Sequence, residues 1–181
     1  MLGDSETCVR REATDSLVDL KANDEGAFIA KLLSDDNDKV RKDAVRALGK
    51  LNSPEGTEAL IGALHDDDGG VRKGAIKTIG RTGAQDALPA LKDMYESGQE
   101  KNPFRVAKAI RKLGDSDPFD REVARLAGMA LNSDDEKARY KAIRALGNNA
   151  RDDAQEIFRH AMGDASKRVR KEAKKALRDR K

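Results

Sequence analysis

Apolar residues recur along this chain in a fixed phrase that predicts a repeating helical unit. The phrase Val-Arg-x-x-Ala-x-x-Ala-Leu-Gly begins at Val40, and close versions begin at Val71 and Ala138. Its apolar positions lie three and four residues apart, as they do on one face of an α-helix. The starting positions are separated by 31 residues from Val9 to Val40 to Val71, and again from Ala138 to Val169. A fixed period of this length predicts a solenoid of stacked helical pairs.

The recurring phrase is the second helix of each pair, and weaker apolar periodicity between the phrases predicts the first helices. Second helices are expected near 9–20, 39–51, 71–82, 105–114, 137–147 and 167–179. First helices are expected near 25–33, 54–64, 86–95, 120–131 and 153–162. Proline marks two helix starts, at Pro54 and Pro118. Glycine in a left-handed conformation is expected to end four second helices, at Gly49, Gly80, Gly114 and Gly147. The prediction is eleven helices in a single all-α domain, 1–181.

Composition narrows the chemistry that such a scaffold can carry. Charged residues make up 38% of the chain and aromatic residues 3%, which predicts a core of small aliphatic side chains. The single cysteine, Cys8, excludes an internal disulfide and is expected to be a small packed side chain. No apolar run has the length of a signal peptide or a membrane span, so we expect a cytoplasmic protein.

Motifs that would indicate catalysis or a cofactor are missing from the sequence. The two histidines, His65 and His160, stand far apart rather than in a metal-ligand cluster. We find no phosphate loop, dinucleotide fingerprint or serine nucleophile elbow. The sequence therefore predicts no catalytic residue, no metal, no cofactor and no small-molecule substrate.

An aspartate six residues before an arginine accompanies the recurring phrase. It is found as Asp4/Arg10, Asp35/Arg41, Asp66/Arg72 and Asp164/Arg170. With this element the chain resembles HEAT repeats, in particular the short class known as PBS-lyase HEAT-like repeats, over almost its whole length. The resemblance implies a right-handed α-α superhelix of about five and a half repeats, with the second helices lining the concave surface. It also implies a ladder in which these aspartate and arginine side chains bridge neighbouring repeats and fix the stacking angle.

Two repeats depart from the ladder pattern. Ser133 occupies the position six residues before Arg139, with Asp134 beside it. In the fourth repeat Val106 stands in the arginine position, Glu100 stands in the acidic position, and the turn is longer. We expect the ladder to be interrupted there. Two explanations are open: drift in a tolerant surface turn, or a hinge or loop that contacts a partner.

Positive charge is concentrated on the second helices. Formal charges over these segments, with the last one extended to residue 181, total +22, and the rest of the chain totals −19, which together give the net charge of +3. Part of the charge that the ladder does not use falls in two columns, four residues apart on one helical face. This basic stripe consists of Lys42, Arg46, Lys73, Lys77, Arg111, Tyr140, Arg144, Lys171 and Lys175. The stripe is either a solvated face compensated by acidic residues of the first helices, or a track for a polyanion.

The C-terminal segment 167–181 is the most basic run in the chain. Apolar residues at helical spacing predict an ordered amphipathic helix. A polar end cap accounts for such a helix, and contact with a polyanion or a membrane surface is the alternative.

These patterns predict a non-enzymatic protein-interaction scaffold. Its basic groove would bind a protein that presents an acidic surface or helix. One alternative is sequence-nonspecific binding of a nucleic-acid backbone in the same groove, since the near absence of aromatic residues disfavours base recognition. The family resemblance adds a further alternative, a non-catalytic or lyase-type subunit of an enzyme complex.

Overall fold

The computed structural model describes residues 6–20 and 25–178, in which every regular element is helical. The helices are α1 (Thr7–Leu20), α2 (Glu25–Lys31), α3 (Asp38–Leu51), α4 (Pro54–Gly62), α5 (Gly69–Thr82), α6 (Leu88–Glu96), α7 (Pro103–Lys112), α8 (Asp117–Asn132), α9 (Glu136–Asn149), α10 (Gln155–Ala161) and α11 (Lys167–Arg178). Short 3₁₀ helices occur at Leu32–Ser34, Ala63–His65 and Gln85–Ala87. The all-α class and the count of eleven helices are confirmed for these residues. None of the described helices is long and apolar enough to cross a bilayer.

The chain folds into two compact units, Met1–Ser116 and Asp117–Lys181. In the N-terminal unit the second helices α1, α3, α5 and α7 contact one another in sequence, and α2, α4 and α6 lie along the other side of this row. In the C-terminal unit α9 packs on α11, while α8 and α10 form the first-helix layer. Each unit therefore has the expected arrangement of paired helices. The single domain over 1–181 stays a prediction.

Aliphatic side chains fill the interior, as the composition indicated. Val40 and Val71, the first residues of the recurring phrase, are fully buried in the N-terminal unit. The C-terminal unit departs from this expectation because Phe119 and Phe158 are among its largest fully buried side chains. The expectation for Cys8 was wrong, since this side chain is exposed on α1.

Side-chain caps explain where several helices begin. Ser53 accepts a hydrogen bond from the N–H group of Gly56, and Asp68 accepts from Gly70 and Val71. These bonds satisfy N–H groups that have no partner inside the first helical turn. Pro54 follows its cap at the start of α4, as predicted.

Three of the four glycines expected at helix ends lie inside helices instead. Gly49, Gly80 and Gly147 belong to α3, α5 and α9, and only Gly114 has a left-handed backbone, with φ of 97°. A Cβ atom on Gly80 would lie 3.1 Å from the Cα of Ala109, and one on Gly147 would lie 3.3 Å from the Cβ of Ala176. These glycines therefore allow successive second helices to approach closely. Gly83, with φ of 75°, ends α5.

Candidate functional site

An arginine on the second helix joins each ladder repeat to the next. Arg41 donates through Nη1 to the backbone carbonyl of Asp35 in its own repeat, at 2.8 Å. Through Nε and Nη2 it donates to both carboxylate oxygens of Asp66 in the following repeat, at 2.8 and 3.0 Å. Bidentate pairing of a guanidinium with a carboxylate fixes distance and orientation together. Arg41 thereby ties two consecutive repeats to each other.

The same pairing, always across 25 residues, occurs in both units. Arg10 binds Asp35 at 2.7 and 3.0 Å, and Arg139 binds Asp164 at 2.8 and 3.1 Å. The aspartate six residues before an arginine gives that arginine only its backbone carbonyl, as Asp164 does for Arg170 at 2.6 Å. Its carboxylate serves the preceding repeat. Asp4 lies outside the described residues.

Each ladder carboxylate also accepts a hydrogen bond from the backbone two residues later. Asp35 accepts from Asn37 at 2.9 Å, and Asp164 accepts from Ser166 at 2.7 Å. The side-chain bond from Arg10 is the main reason why the pKa of Asp35 lies below its ordinary value, while partial burial acts in the opposite direction. Arg139 lowers the pKa of Asp164 in the same way. The carboxylates thus stay ionised at neutral pH within a partly shielded site.

The ladder stops at Arg72, where the sequence departs from the pattern. Nη1 of Arg72 donates to the backbone carbonyl of Asp66 at 2.6 Å, but its buried Nε atom has no acceptor among the residues that the structure describes. The acidic residue of the fourth repeat, Glu100, accepts from Nη1 of Arg105 at 2.7 Å and from the N–H of Asn102 instead. Glu100 is therefore used inside its own repeat.

Ser133, by contrast, does not interrupt the contact within its repeat. Arg139 donates to the backbone carbonyl of Ser133 at 2.8 Å. Arg139 needs only the main-chain oxygen of this residue, and the preceding repeat has Val106 rather than an arginine that would use a carboxylate. Ser133 supplies the same group that Asp35 supplies to Arg41.

Four residues of the basic stripe line one surface pocket between α3 and α5. The pocket has a volume of about 440 Å³. It is lined by Lys42, Val45, Arg46, Gly70, Lys73, Gly74, Lys77, Thr78 and Arg81. We call this site the α3–α5 pocket. Its stripe residues meet because they lie one helical turn apart on two adjacent helices. Sequence reasoning missed Arg81 and Thr78, which lie outside the two columns.

Two of the cations in the α3–α5 pocket are already paired with carboxylates. Lys42 Nζ lies 2.6 Å from Asp38 and 2.9 Å from Asp68. These bonds raise the pKa of Lys42, and the bond from Lys42 is the first cause of the lowered pKa values of both aspartates. Arg46 forms an ion pair with the buried carboxylate of Asp43. Compensation here comes from the second-helix layer and its turns rather than from the first helices.

Lys73 and Lys77 carry positive charge in the α3–α5 pocket that no carboxylate of the described residues compensates. Both side chains are exposed, and neither forms an ion pair or a hydrogen bond with the parts of the chain that the structure describes. They stand four residues apart on α5. Arg81, further along α5, donates to the backbone carbonyl of Gly49 on α3 at 2.8 Å. This bond holds α5, which carries the two lysines, against α3.

The other stripe residues lie elsewhere. Arg111 is exposed near the end of α7 in the N-terminal unit. The C-terminal unit holds Tyr140, Arg144, Lys171 and Lys175. One face of the Tyr140 ring is covered by the guanidinium of Arg168, at 4.0 Å from the ring centroid. This contact is a cation–π interaction and occupies a face on which a nucleobase would stack.

No metal centre accompanies these surfaces in the described part of the chain. Over residues 6–20 and 25–178, no three histidine, cysteine, aspartate or glutamate side chains are grouped to hold an ion. His65 and His160 are both exposed, each in the last turn of a short helix.

Stacked helical pairs joined through second helices define a helical-repeat solenoid protein. A model of HEAT repeats matches residues 25–114 and 123–181. The chain belongs to the HEAT-repeat family.

Comparison with solved structures agrees with the family assignment. The complex of CpcE and CpcF of phycocyanin lyase from Nostoc sp. PCC7120 is similar, with a TM-score of 0.57 and 20% sequence identity over 97% of this chain and 73% of that chain. Human deoxyhypusine hydroxylase in complex with glycerol gives a TM-score of 0.54 and 21% identity over 96% of this chain and 68% of that chain. At these identities the likeness concerns the fold. Among curated proteins, no match to the sequence was found.

Proposed function

We propose that this protein is a non-enzymatic interaction scaffold whose α3–α5 pocket binds an acidic segment of a partner protein. The observation that carries the proposal is the pair Lys73 and Lys77, which are exposed at the pocket and form no ion pair with residues 6–20 or 25–178. Two like charges one turn apart repel each other in the free protein. A carboxylate from a partner removes that repulsion, so binding gains from both effects.

The size and lining of the α3–α5 pocket suit side chains of a peptide. About 440 Å³ lies within the range of ordinary ligand sites and holds a few side chains. Val45, Thr78 and the glycines at 70 and 74 supply uncharged lining, while the lysines supply charge. Such a mixture favours a partner with acidic residues beside small apolar ones. Complementary charge would mainly set the rate and specificity of association.

The ladder supports a scaffold because it holds the pocket helices in fixed positions. Arg41 and Asp66 join the repeat of α3 to the repeat of α5. A pre-organised surface loses little conformational freedom on binding. The phycocyanin lyase neighbour, a complex of CpcE and CpcF, is an example of this fold within an assembly of two proteins.

Peptide binding and a charge-matched control test the proposal. The probe is a fluorescent peptide of alternating glutamate and alanine, followed by anisotropy at low salt. The double variant Lys73→Glu/Lys77→Glu should weaken binding at least tenfold, which corresponds to about 1.4 kcal/mol. The control Lys39→Glu/Lys50→Glu makes the same change in charge on the exposed surface of α3, outside the pocket, and should retain binding.

Two results would reject this function. Equal losses in both variants would mean that only the net charge of the protein attracts the peptide. If a labelled nucleic-acid duplex bound and lost affinity in the Lys73/Lys77 variant while the peptide did not bind at all, the pocket would be a nucleic-acid site.

A further inference from the structure

The exposed face of α11 consists entirely of cations. Its exposed residues are Lys167, Arg168, Lys171, Lys174, Lys175 and Arg178. None of the six forms an ion pair with any residue in 6–20 or 25–178, and Arg168 contacts the Tyr140 ring. Glu172, the acidic residue of α11, is half-buried. This surface belongs to the C-terminal unit and is separate from the α3–α5 pocket.

The role of a polar end cap explains why this surface is polar, but not why all its charges are positive. Lys174 occupies the repeat position of the buried residues Val45 and Ile143, and Arg178 occupies that of Gly147. Polar residues there keep the outer side of α11 soluble. If this face served only solubility, a mixture of acidic and basic residues would be enough, and opposite charges would attract one another. Uniform cations at three-and-four spacing repel instead.

The helix dipole adds to the cost at one end of α11. Lys167 begins the helix, and no acidic residue lies in the first turn. A cation at a helix N-terminus is unfavourable because the N-terminus carries partial positive charge. Lys175 and Arg178 lie in the last turn, where the dipole favours cations. The repulsion among the cations of the face nevertheless remains, which points to an external anion that compensates them.

We propose that the exposed face of α11 binds the phosphate backbone of a nucleic-acid duplex. A bilayer is disfavoured as the anion because the apolar residues Val169, Ala173 and Ala176 are buried within the unit and cannot enter lipid. A protein partner is disfavoured because the face has no exposed aliphatic or aromatic anchor, of the kind that dominates protein interfaces.

Charge density also favours a duplex over an acidic peptide. From Lys167 to Arg178 the helix rises about 16 Å. Over that length a duplex presents about ten phosphates, whereas an extended peptide made only of acidic residues presents about five carboxylates. The phosphates of the two strands therefore outnumber the six cations of α11, whereas the carboxylates of the peptide do not. Contacts restricted to phosphates carry no sequence information, so binding is independent of base sequence.

Fluorescence anisotropy with labelled duplexes of two unrelated sequences, each about 20 base pairs long, tests this surface across a salt titration. The variant Lys171→Gln/Lys174→Gln/Lys175→Gln removes three charges from α11. The control Lys39→Gln/Lys50→Gln/Lys112→Gln removes three exposed charges elsewhere. Wild type and control should bind both duplexes alike. The α11 variant should lose at least tenfold in affinity at low salt, and its slope of log affinity against log salt should fall by about three.

Circular dichroism is used to check that each variant is folded. The α3–α5 pocket variant Lys73→Glu/Lys77→Glu should still bind the duplexes, because α11 is unchanged in it. The proposal is overturned if wild type does not bind at low salt, or if the control loses as much affinity as the α11 variant. It is also overturned if phosphatidylserine vesicles or the glutamate–alanine peptide, and not the duplexes, bind in a manner that depends on α11.

Discussion

At the scale of the residue, Arg41 shows how one side chain holds two repeats together. Its planar guanidinium directs Nη1 to the turn of its own repeat and directs Nε and Nη2 to Asp66 of the next. A lysine at this position would offer a single nitrogen and could not reproduce this geometry. The pair is mostly buried, with 15% of the Arg41 side chain and 9% of the Asp66 side chain exposed, so water replaces these bonds poorly.

Removing one ladder carboxylate should destabilise the fold. Asp66→Ala leaves two partly buried nitrogens of Arg41 without their acceptor and should lower the free energy of unfolding by about 2 kcal/mol. Urea denaturation followed by circular dichroism measures the loss. Asp67→Ala is the matched control, because Asp67 is exposed and contributes only its backbone carbonyl, to Arg72. Similar losses in the two variants would contradict the structural role of the rung.

The ladder also predicts how stability depends on pH. Arg10 lowers the folded-state pKa of Asp35 below its ordinary value of 3.8. The stabilisation from this pair is therefore complete above pH 3.8, and it is lost as the pH falls from there through the folded-state pKa. Asp35→Asn should show a shallower loss of stability over that acidic range than wild type, and Asp36→Asn should follow wild type. A wild-type slope in Asp35→Asn would show that the pair is not the titrating element.

At the scale of the element, the second helices are shaped by glycines that packing requires. In the sequence, Gly80 stands three residues before the left-handed Gly83, and both are compatible with a helix end. What distinguishes them is Ala109, which lies against Gly80 from the next second helix. A contact between residues so far apart along the chain leaves no local signal, which is why the glycine expectation failed.

Alanine substitution should separate glycines that permit packing from glycines that only weaken a helix. In Gly80→Ala the new methyl group meets the backbone of Ala109 at 3.1 Å, so stability should fall by about 1 to 3 kcal/mol. Gly128, inside α8, has open space where a Cβ atom would lie, and Gly128→Ala should raise stability by about 0.5 to 1 kcal/mol. Thermal unfolding of both variants provides the measurement. A stabilised Gly80→Ala would mean that α5 and α7 are not in close contact.

At the scale of the whole molecule, the sequence predicted periodic features well and partners across repeats poorly. The spacing of Val40 and Val71 was enough for the paired helices, because period and burial depend on local pattern. The six-residue spacing of Asp35 and Arg41 identified the ladder residues, and the family resemblance implied that they bridge neighbouring repeats. The spacing alone does not show that the carboxylate partner of Arg41 is Asp66, because that pairing follows from stacking. For the basic stripe, too, the sequence does not identify partners that come from a neighbouring repeat.

Charge on the stripe illustrates this most clearly. Lys42 and Lys73 occupy the same position in successive repeats and look equivalent in the sequence. Lys42 binds Asp38 and Asp68, whereas Lys73 has no such partner among the described residues. Only the Asp38–Lys42 spacing of four residues gave a local signal of this neutralisation. Which cations are available to a ligand therefore had to be read from the fold.

The contacts of each ladder arginine determine how readily the number of repeats in this protein can change. Arg41 requires only a main-chain carbonyl behind it and a carboxylate 25 residues ahead, and a copy of a 31-residue unit that keeps its aspartate supplies both. An in-frame duplication of that unit would meet a matching partner at each of its two borders. The interrupted fourth repeat offers no such border, since Glu100 is already used by Arg105. Duplication of a unit is therefore easier to accommodate among the ladder repeats than at the fourth repeat.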